Sequence, residues 1–295
     1  MNTFETVAEL RTVCESARAA GRRVGLVPTM GYFHAGHRSL MDAARAENDF
    51  VVVSLFVNPA QFGPNEDLAS YPRDLEGDTA VAIEAGVDAL FVPTVDEMYP
   101  LGPPRTTVHV ARLTEGMCGA SRPGHFDGVT TVVAKLFAIV GPSRAYFGRK
   151  DFQQVAVVRK MAADLNLPVE VVGCPLVRET DGLALSSRNA YLTPAERAVA
   201  PELHAALAEA VGAIREGERS AAGVVGLVAD RIGVHPDLVI EYIEVRSAEE
   251  LEAIDALRGQ FVIALAARVG RARLIDNVVV AITDEGVAAD VGVRS

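Results

Sequence analysis

The sequence predicts an α/β fold: a parallel sheet with helical crossovers, followed from about residue 177 by a smaller α+β unit. Three observations predict it. Short continuous β-branched runs, such as Val51-Val52-Val53, suit parallel strands buried on both faces. Runs with apolar residues at helical spacing alternate with them, the order of βαβ units. Polar residues and glycines recur just past the strand ends, where open parallel sheets bind their ligands.

Residues 4–20 place Phe4, Val7, Ala8, Leu10 and Val13 at helical spacing, and Gly21 ends the helix. Arg22-Arg23 reads as a solvated basic pair. The run 24–27 is a first strand, and a helix is expected over 39–47. Between them lies Pro28-Thr29-Met30-Gly31-Tyr32-Phe33-His34-Ala35-Gly36-His37. Two histidines three apart share a face once a helix has begun. Gly31 and Gly36 let a ligand approach the backbone closely. A helix N-terminus offers unpaired N–H groups and a positive dipole end, which suits a phosphate. The stretch therefore reads as a nucleotide phosphate site with histidine donors. Paired loop histidines also serve as local hydrogen-bond partners or metal ligands, and spacing alone does not decide between these. The pattern is not H-E-x-x-H and no third ligand stands nearby, which disfavours zinc.

A second strand, 50–57, ends at Asn58-Pro59-Ala60-Gln61, so Asn58 and Gln61 fall at a second strand end. The polar loop 63–74 is long enough to be a lid. Helix 75–85 stops at Gly86, and 89–93 is a third strand. Residues 94–128 read as irregular, with an extended piece at 106–110 and a Gly-, Arg- and His-containing loop at 119–128. Helix 129–140, strand 145–147, helix 153–165 and strand 169–173 follow. Polar groups gather again past the strand end, at Gly148 to Gln154.

From Thr193 the style changes. Thr193-Pro194-Ala195-Glu196 is a capping box with proline at the first helical position, opening a helix expected over 194–216. Helix 220–232, strand 238–245, a short helical stretch, strand 260–267 and a final edge strand at 273–279 complete the smaller unit.

Composition bounds the function. The 295 residues are 49% hydrophobic and 23% charged, enough for a sizeable core. No apolar run is long enough to cross a bilayer, and the N-terminus lacks a signal-peptide pattern. Three scattered cysteines, Cys14, Cys118 and Cys174, make no disulfide framework and fit a reducing cytoplasm. A net charge of −11 disfavours a nucleic-acid partner, while leaving room for a small anionic substrate.

Five motifs in order then carry a resemblance: Pro28-Thr29-Met30-Gly31 with His34-Ala35-Gly36-His37; Phe56-Val57-Asn58-Pro59 with Gln61-Phe62; Arg122-Pro123-Gly124-His125-Phe126; Phe147-Gly148 with Lys150-Asp151 and Gln153-Gln154; and Asp181-Gly182-Leu183-Ala184-Leu185-Ser186-Ser187-Arg188-Asn189. Over about residues 20–200 the chain resembles the pantoate–β-alanine ligases, the pantothenate synthetase family. The resemblance implies a Rossmann-like ATP- and pantoate-binding domain over 1–176 and a C-terminal lid domain over 177–295, in a cytoplasmic homodimer. It implies ATP with Mg²⁺, pantoate and β-alanine as ligands, and pantothenate, AMP and pyrophosphate as products, by way of a pantoyl adenylate.

Carried over residue by residue, Met30, Gly31, Tyr32, Phe33, His34, Ala35, Gly36 and His37 would line ATP, with His34 and His37 against its phosphates. Gly148, Arg149, Lys150 and Asp151 would also meet ATP, the aspartate at the ribose. Val177 would pack at the adenine, and Leu185, Ser186, Ser187 and Arg188 would close on the phosphates. Gln61 and Gln154, with Asn58, would hold pantoate and β-alanine. Asp78 resembles an acidic position near the metal. Two positions depart from the pattern: Arg149 stands where the family usually has glutamate, and Phe33 replaces a common leucine.

The chemistry needs positioned substrate, donors for charge on the α-phosphate and the departing pyrophosphate, and exclusion of water from the adenylate. No nucleophilic side chain is required. A nucleotidyltransferase of the same superfamily would leave AMP on a phosphorylated substrate, and would favour Arg or Lys where Gln61 and Gln154 stand. A nucleotide-binding regulator would bind ATP without turnover.

Overall fold

A computed structural model describes every residue except Asn65, which falls within the loop expected as a lid. Along the chain, strand β1 (Asn2–Phe4) leads into helix α1 (Val7–Ala19), strand β2 (Val24–Thr29), helix α2 (Ala35–Glu47), strand β3 (Phe50–Leu55), helix α3 (Leu75–Glu84) and strand β4 (Ala89–Phe91). Two short helices, α4 (Val95–Met98) and α5 (Met117–Ser121), precede the long α6 (His125–Val140). Strand β5 (Ser143–Gly148), helix α7 (Phe152–Asp164), strand β6 (Val169–Cys174) and the two-residue strand β7 (Val177–Arg178) follow. The remainder holds α8 (Pro194–Val199), α9 (Glu202–Arg215), α10 (Ala221–Gly233), β8 (Leu238–Ser247), β9 (Gly259–Val269), β10 (Ala272–Thr283), β11 (Gly286–Asp290) and β12 (Val293–Arg294).

The first unit comprises residues 1–111, 122–149 and 154–174. Its described strands form a six-stranded parallel sheet in the order β1-β4-β3-β2-β5-β6. Val51, Val52, Val53, Leu26 and Leu90 are fully buried, as expected of strands covered on both faces. Each such side chain contributes about 1.5–3 kcal/mol when buried. The connections run outward from β2 on one side through β3 and β4, and on the other through β5 and β6. The strand order therefore reverses between β2 and β5, and ligands of open α/β sheets bind outside the carboxyl ends at such a point.

The second unit comprises residues 112–121, 150–153 and 175–295. Its longest stretch begins at Pro175, and the two short insertions carry no composition shift that would mark them. Its antiparallel sheet runs β11-β10-β9-β8. Phe261, Ile263, Leu265 and Val280 of that sheet pack with Leu203, Leu207 and Ile214 of α9 and Val224 and Val228 of α10. The strand β12 pairs in parallel with β7.

Several elements differ from expectation. Residues 2–4 are an edge strand, because the capping box formed by Thr6 and Glu9 starts α1 only at Val7. Helix α2 begins at Ala35, capped by His34, and α6 begins at His125. The single helix expected over 194–216 is two: Pro201 has no N–H and interrupts the ladder between α8 and α9. No helix forms between β8 and β9 among the described residues, and 273–279 lies inside the sheet between β9 and β11 rather than at its edge.

Candidate active site

The loop after β2 is held by side chains that accept its amides. Gly31 and Tyr32 have φ of 86° and 55°, so two consecutive residues lie in the left-handed region. The Gly31 N–H donates to Thr29 Oγ1 at 3.3 Å, and the Thr29 hydroxyl donates in turn to the Ser54 carbonyl at 2.6 Å. Tyr32 and Phe33 N–H groups donate to the two carboxylate oxygens of Asp78, at 2.8 and 2.5 Å.

His34 and His37 close a reciprocal cap on α2. His34 Nδ1 accepts from Gly36 N–H at 3.1 Å, and His37 Nδ1 accepts from His34 N–H at 3.4 Å. A ring nitrogen that accepts an N–H carries no proton, which places the proton of each neutral imidazole on Nε2. Both rings then present Nε2–H as a donor. Their centroids are 4.2 Å apart, with the Phe33 ring 5.4 Å from that of His37.

Past β3, a buried relay orients Gln61. The Tyr99 hydroxyl donates to Asn58 Oδ1 at 2.8 Å, and burial pushes the tyrosine up to about 12, so it stays a donor. That fixes the Asn58 amide. Its Nδ2 donates to Gln61 Oε1 at 3.1 Å and to the Gly128 carbonyl at 3.1 Å. Gln61 is thereby left with Nε2 as its outward group, 3.2 Å from the Met30 sulfur. The backbone is held as well: His125 Nδ1 lies 2.8 Å from the Gln61 carbonyl, and Arg122 Nη1 lies 2.8 Å from His125 Nε2. Arg122 also makes a fork to Glu66, with Nε at 2.7 Å and Nη2 at 2.5 Å. Burial would raise the Glu66 carboxyl, but the Arg122 hydrogen bonds and charge override it and hold it at about 2. Gly128 is required here, since a Cβ would sit 2.2 Å from the Ala60 carbonyl oxygen.

The segment after β5 divides its roles. Lys150 Nζ lies 3.4 Å from Asp151 Oδ2, and the Lys150 carbonyl accepts from Asn277 Nδ2 at 2.9 Å. Of the two glutamines, Gln153 is buried and donates to the Leu113 and Gly116 carbonyls at 2.9 Å each, while Gln154 is half-buried. Arg149 packs back toward β6, its Cγ 3.3 Å from where a Gly173 Cβ would be. Burial, and then the charge of Arg149, lowers the neighbouring Arg159.

In the second unit, the segment 177–189 is fixed from beneath. Arg178 and Asp276 form a bidentate pair at 2.7 and 2.8 Å, both almost fully buried. Arg178 also donates to the carbonyls of Gly182 at 3.0 Å and Val291 at 2.5 Å. The Leu185 N–H donates to the Val177 carbonyl at 3.0 Å, Asn189 Nδ2 donates to the Ala184 carbonyl at 3.1 Å, and Ser186 Oγ caps the Arg188 N–H at 3.3 Å. Ser187 is buried; Leu185, Ser186 and Arg188 are half-buried.

The structure thus brings Met30, Gly31, Tyr32, Phe33, Ala35, Gly36, both histidines, Asn58 and Gln61 to neighbouring strand ends of one sheet, with Gly148 at the end of β5. Sequence reasoning missed Tyr99, His125, Arg122 and Glu66 as supports of Gln61, and Asp276 and Asn277 as supports of 177–189 and Lys150. Arg122 and His125 carried a signal, since they lie in one of the quoted motifs. Asp78, expected near the metal, has both oxygens on amides, and no group of three or more His, Cys, Asp or Glu that could hold an ion occurs among the described residues.

Residues 2–279 match the family model described as Pantoate-beta-alanine ligase. The chain is 53% identical over 280 residues to a protein named pantothenate synthetase from Acetivibrio thermocellus, covering 95% of this chain and 99% of that one. Among solved structures, pantothenate synthetase from Thermus thermophilus superposes with a TM-score of 0.88 at 50% identity, covering 94% and 98% of the two chains. The ligase from Francisella tularensis, complexed with Beta-gamma ATP and Beta-alanine, gives 0.75 at 32% identity, covering 94% and 97%.

Proposed function

Since the chain belongs to the pantoate–β-alanine ligase family and is an ATP-dependent ligase joining pantoate to β-alanine, we propose that Gln61 and Gln154 hold pantoate while His34, His37, Lys150, Ser186, Ser187 and Arg188 stabilise charge on ATP. A pantoate carboxylate oxygen attacks the α-phosphorus, the bond to the bridging oxygen of the β-phosphate breaks, and pyrophosphate leaves. The β-alanine amine then displaces AMP from the acyl adenylate to give pantothenate. Pyrophosphate leaves as an anion, so no proton need be transferred to it. An imidazole that donates from Nε2–H while accepting at Nδ1 suits charge stabilisation of this kind.

The observation that carries the reading is the set of neutral donors at the strand ends: His34 and His37 Nε2–H, and Gln61 Nε2 set by Asn58. Donors without formal charge can hold a carboxylate close to a triphosphate without binding it so tightly that its nucleophilicity is lost. Met30 to His37, Gly148 to Asp151, Val177 and Leu185 to Arg188 are assigned to ATP, with Asn58 orienting Gln61.

Magnesium is proposed to enter with ATP. It prefers about six oxygen ligands, commonly one or two carboxylates with substrate phosphates and water. The described residues offer no ready cage, and the one candidate carboxylate, Asp78, is buried on two amides. The chain's own residues do not fit a protein-built metal site, and no step here is routed through the metal. A homodimer is proposed on the resemblance. The cytoplasm is proposed as the compartment, supported by three buried cysteines that form no disulfide.

With ATP present, purified protein should release pyrophosphate only when pantoate is added, and should form AMP and pantothenate on addition of β-alanine. Release without pantoate, no release, or an adenylated product in place of free AMP contradicts the reading.

A further inference from the structure

A loop between a strand and a helix N-terminus is expected to offer its amides to a phosphate. The amides of 31–36 are largely committed inside the protein. Gly31 donates to Thr29, Tyr32 and Phe33 to Asp78, His34 to His37, and Gly36 to His34. The successive N–H groups of Tyr32 and Phe33, in a turn that holds Gly31 and Tyr32 at positive φ, converge on one anion, as in an anion-binding nest. The anion in that nest is Asp78, whose exposure is 2%. The fit is close: a Cβ on Gly31 would stand 2.8 Å from Asp78 Oδ2 and 3.1 Å from the Leu55 side chain.

We propose that Asp78 is a positioning residue: it fills the nest of the histidine loop with the protein's own carboxylate, so that ATP meets imidazole N–H donors instead of an amide cradle. This rests on the ligase reading for what is bound. The physical argument is separate. Tyr32 lies in the left-handed region, and such strain persists only where the surroundings over-determine it. Two charge-assisted hydrogen bonds from consecutive amides to one buried carboxylate supply that determination. They also fix where the next residue, His34, caps α2, and hence where both imidazoles point. Asp78 itself is placed by α3, whose first turn is capped by Asp74 through the Gly77 N–H at 3.0 Å.

The test is Asp78→Asn, an isosteric change that keeps one acceptor and sets an NH₂ group against the other amide. In the ATP-free protein, hydrogen exchange at the Tyr32 and Phe33 amides should speed by about tenfold or more, while β2 amides such as Leu26 hold their rates. In turnover, kcat should fall by about tenfold or more. The Mg²⁺ concentration giving half-maximal rate should shift by less than about twofold, since no metal ligand is lost. Unchanged exchange at Tyr32 and Phe33 overturns the proposal, and so does a turnover loss that added Mg²⁺ restores. The exchange arm needs no activity. If unsubstituted protein fails to turn over with pantoate, the ligase reading falls while the exchange result still decides the clamp.

Discussion

The histidine loop of the first unit and the segment 177–189 of the second are both assigned to ATP, yet they are held by opposite means. In the loop, side-chain acceptors take backbone N–H groups: Thr29, Asp78, His34 and His37. In the segment, side-chain donors take backbone carbonyls, chiefly Arg178 on Gly182 and Val291 and Asn189 on Ala184. The loop stores left-handed backbone, and its histidines cap α2 while being assigned to the ligand as well. The segment rests on an ion pair almost wholly removed from solvent. Changes in the loop should therefore register in catalysis first, and changes beneath the segment in stability first.

The largest effect should come from Asp276→Ala. It leaves the Arg178 guanidinium buried without its carboxylate, a change that costs about 3–5 kcal/mol. Urea unfolding followed by circular dichroism reads it directly. Replacing the pair together, as Arg178→Met with Asp276→Leu, removes the unpaired charge but strips the Gly182 and Val291 carbonyls of their donor. It should recover only part of that loss, and a double variant as unstable as the single one would break the comparison. Next in size is His37→Ala. It should lower the rate by about 10² or more, with a stability loss of no more than about 1 kcal/mol for the cap interaction. A fully active His37→Ala variant would refute the assigned role.

Two smaller effects sharpen the contrast within the first unit. Tyr99→Phe removes one of the two donors on Asn58 Oδ1, leaving the Ala60 N–H at 3.3 Å, and so loosens the hold of Asn58 on Gln61. Steady-state kinetics should show the KM for pantoate rising by about tenfold, with the KM for ATP unchanged. An equal rise in both would mean a general loosening. The Glu66–Arg122 pair is the more accessible counterpart of Arg178–Asp276. Glu66 is held at about 2, below its ordinary 4.5, so its contribution to stability is complete above about 4.5 and is lost as the pH falls through about 2. Glu66→Gln should remove that contribution, lowering stability at neutral pH while leaving it nearly unchanged below about 2, so that the acid limb between those values flattens. A loss at pH 7 as large as that of Asp276→Ala would place this pair with the buried one.

The same contrast explains what was legible. The strands β2, β3 and β5 announce themselves because parallel strands buried on both faces need continuous apolar runs. The histidines, Gln61 and Lys150 are legible because strand ends concentrate polar residues. Edge strand β1 is three residues long and abuts a helix cap, so no period could develop. The break at Pro201 was readable from its missing N–H; the Ala-rich pattern around it carried the helix across. What sequence order hides is the partner at long range. Asp78 lies 46 residues from Tyr32, Tyr99 lies 41 from Asn58 and Asp276 lies 98 from Arg178. Each is an ordinary residue in its own neighbourhood, and only the fold gives it a task.

The central claim is that the histidine loop stabilises charge on ATP while pantoate is adenylated. A single-turnover measurement with ATP and pantoate, omitting β-alanine, isolates that step. The protein should release close to one pyrophosphate per site in a burst, and His37→Ala should slow the burst by about 10² or more. A His37→Ala burst as fast as that of the unsubstituted protein would contradict the claim.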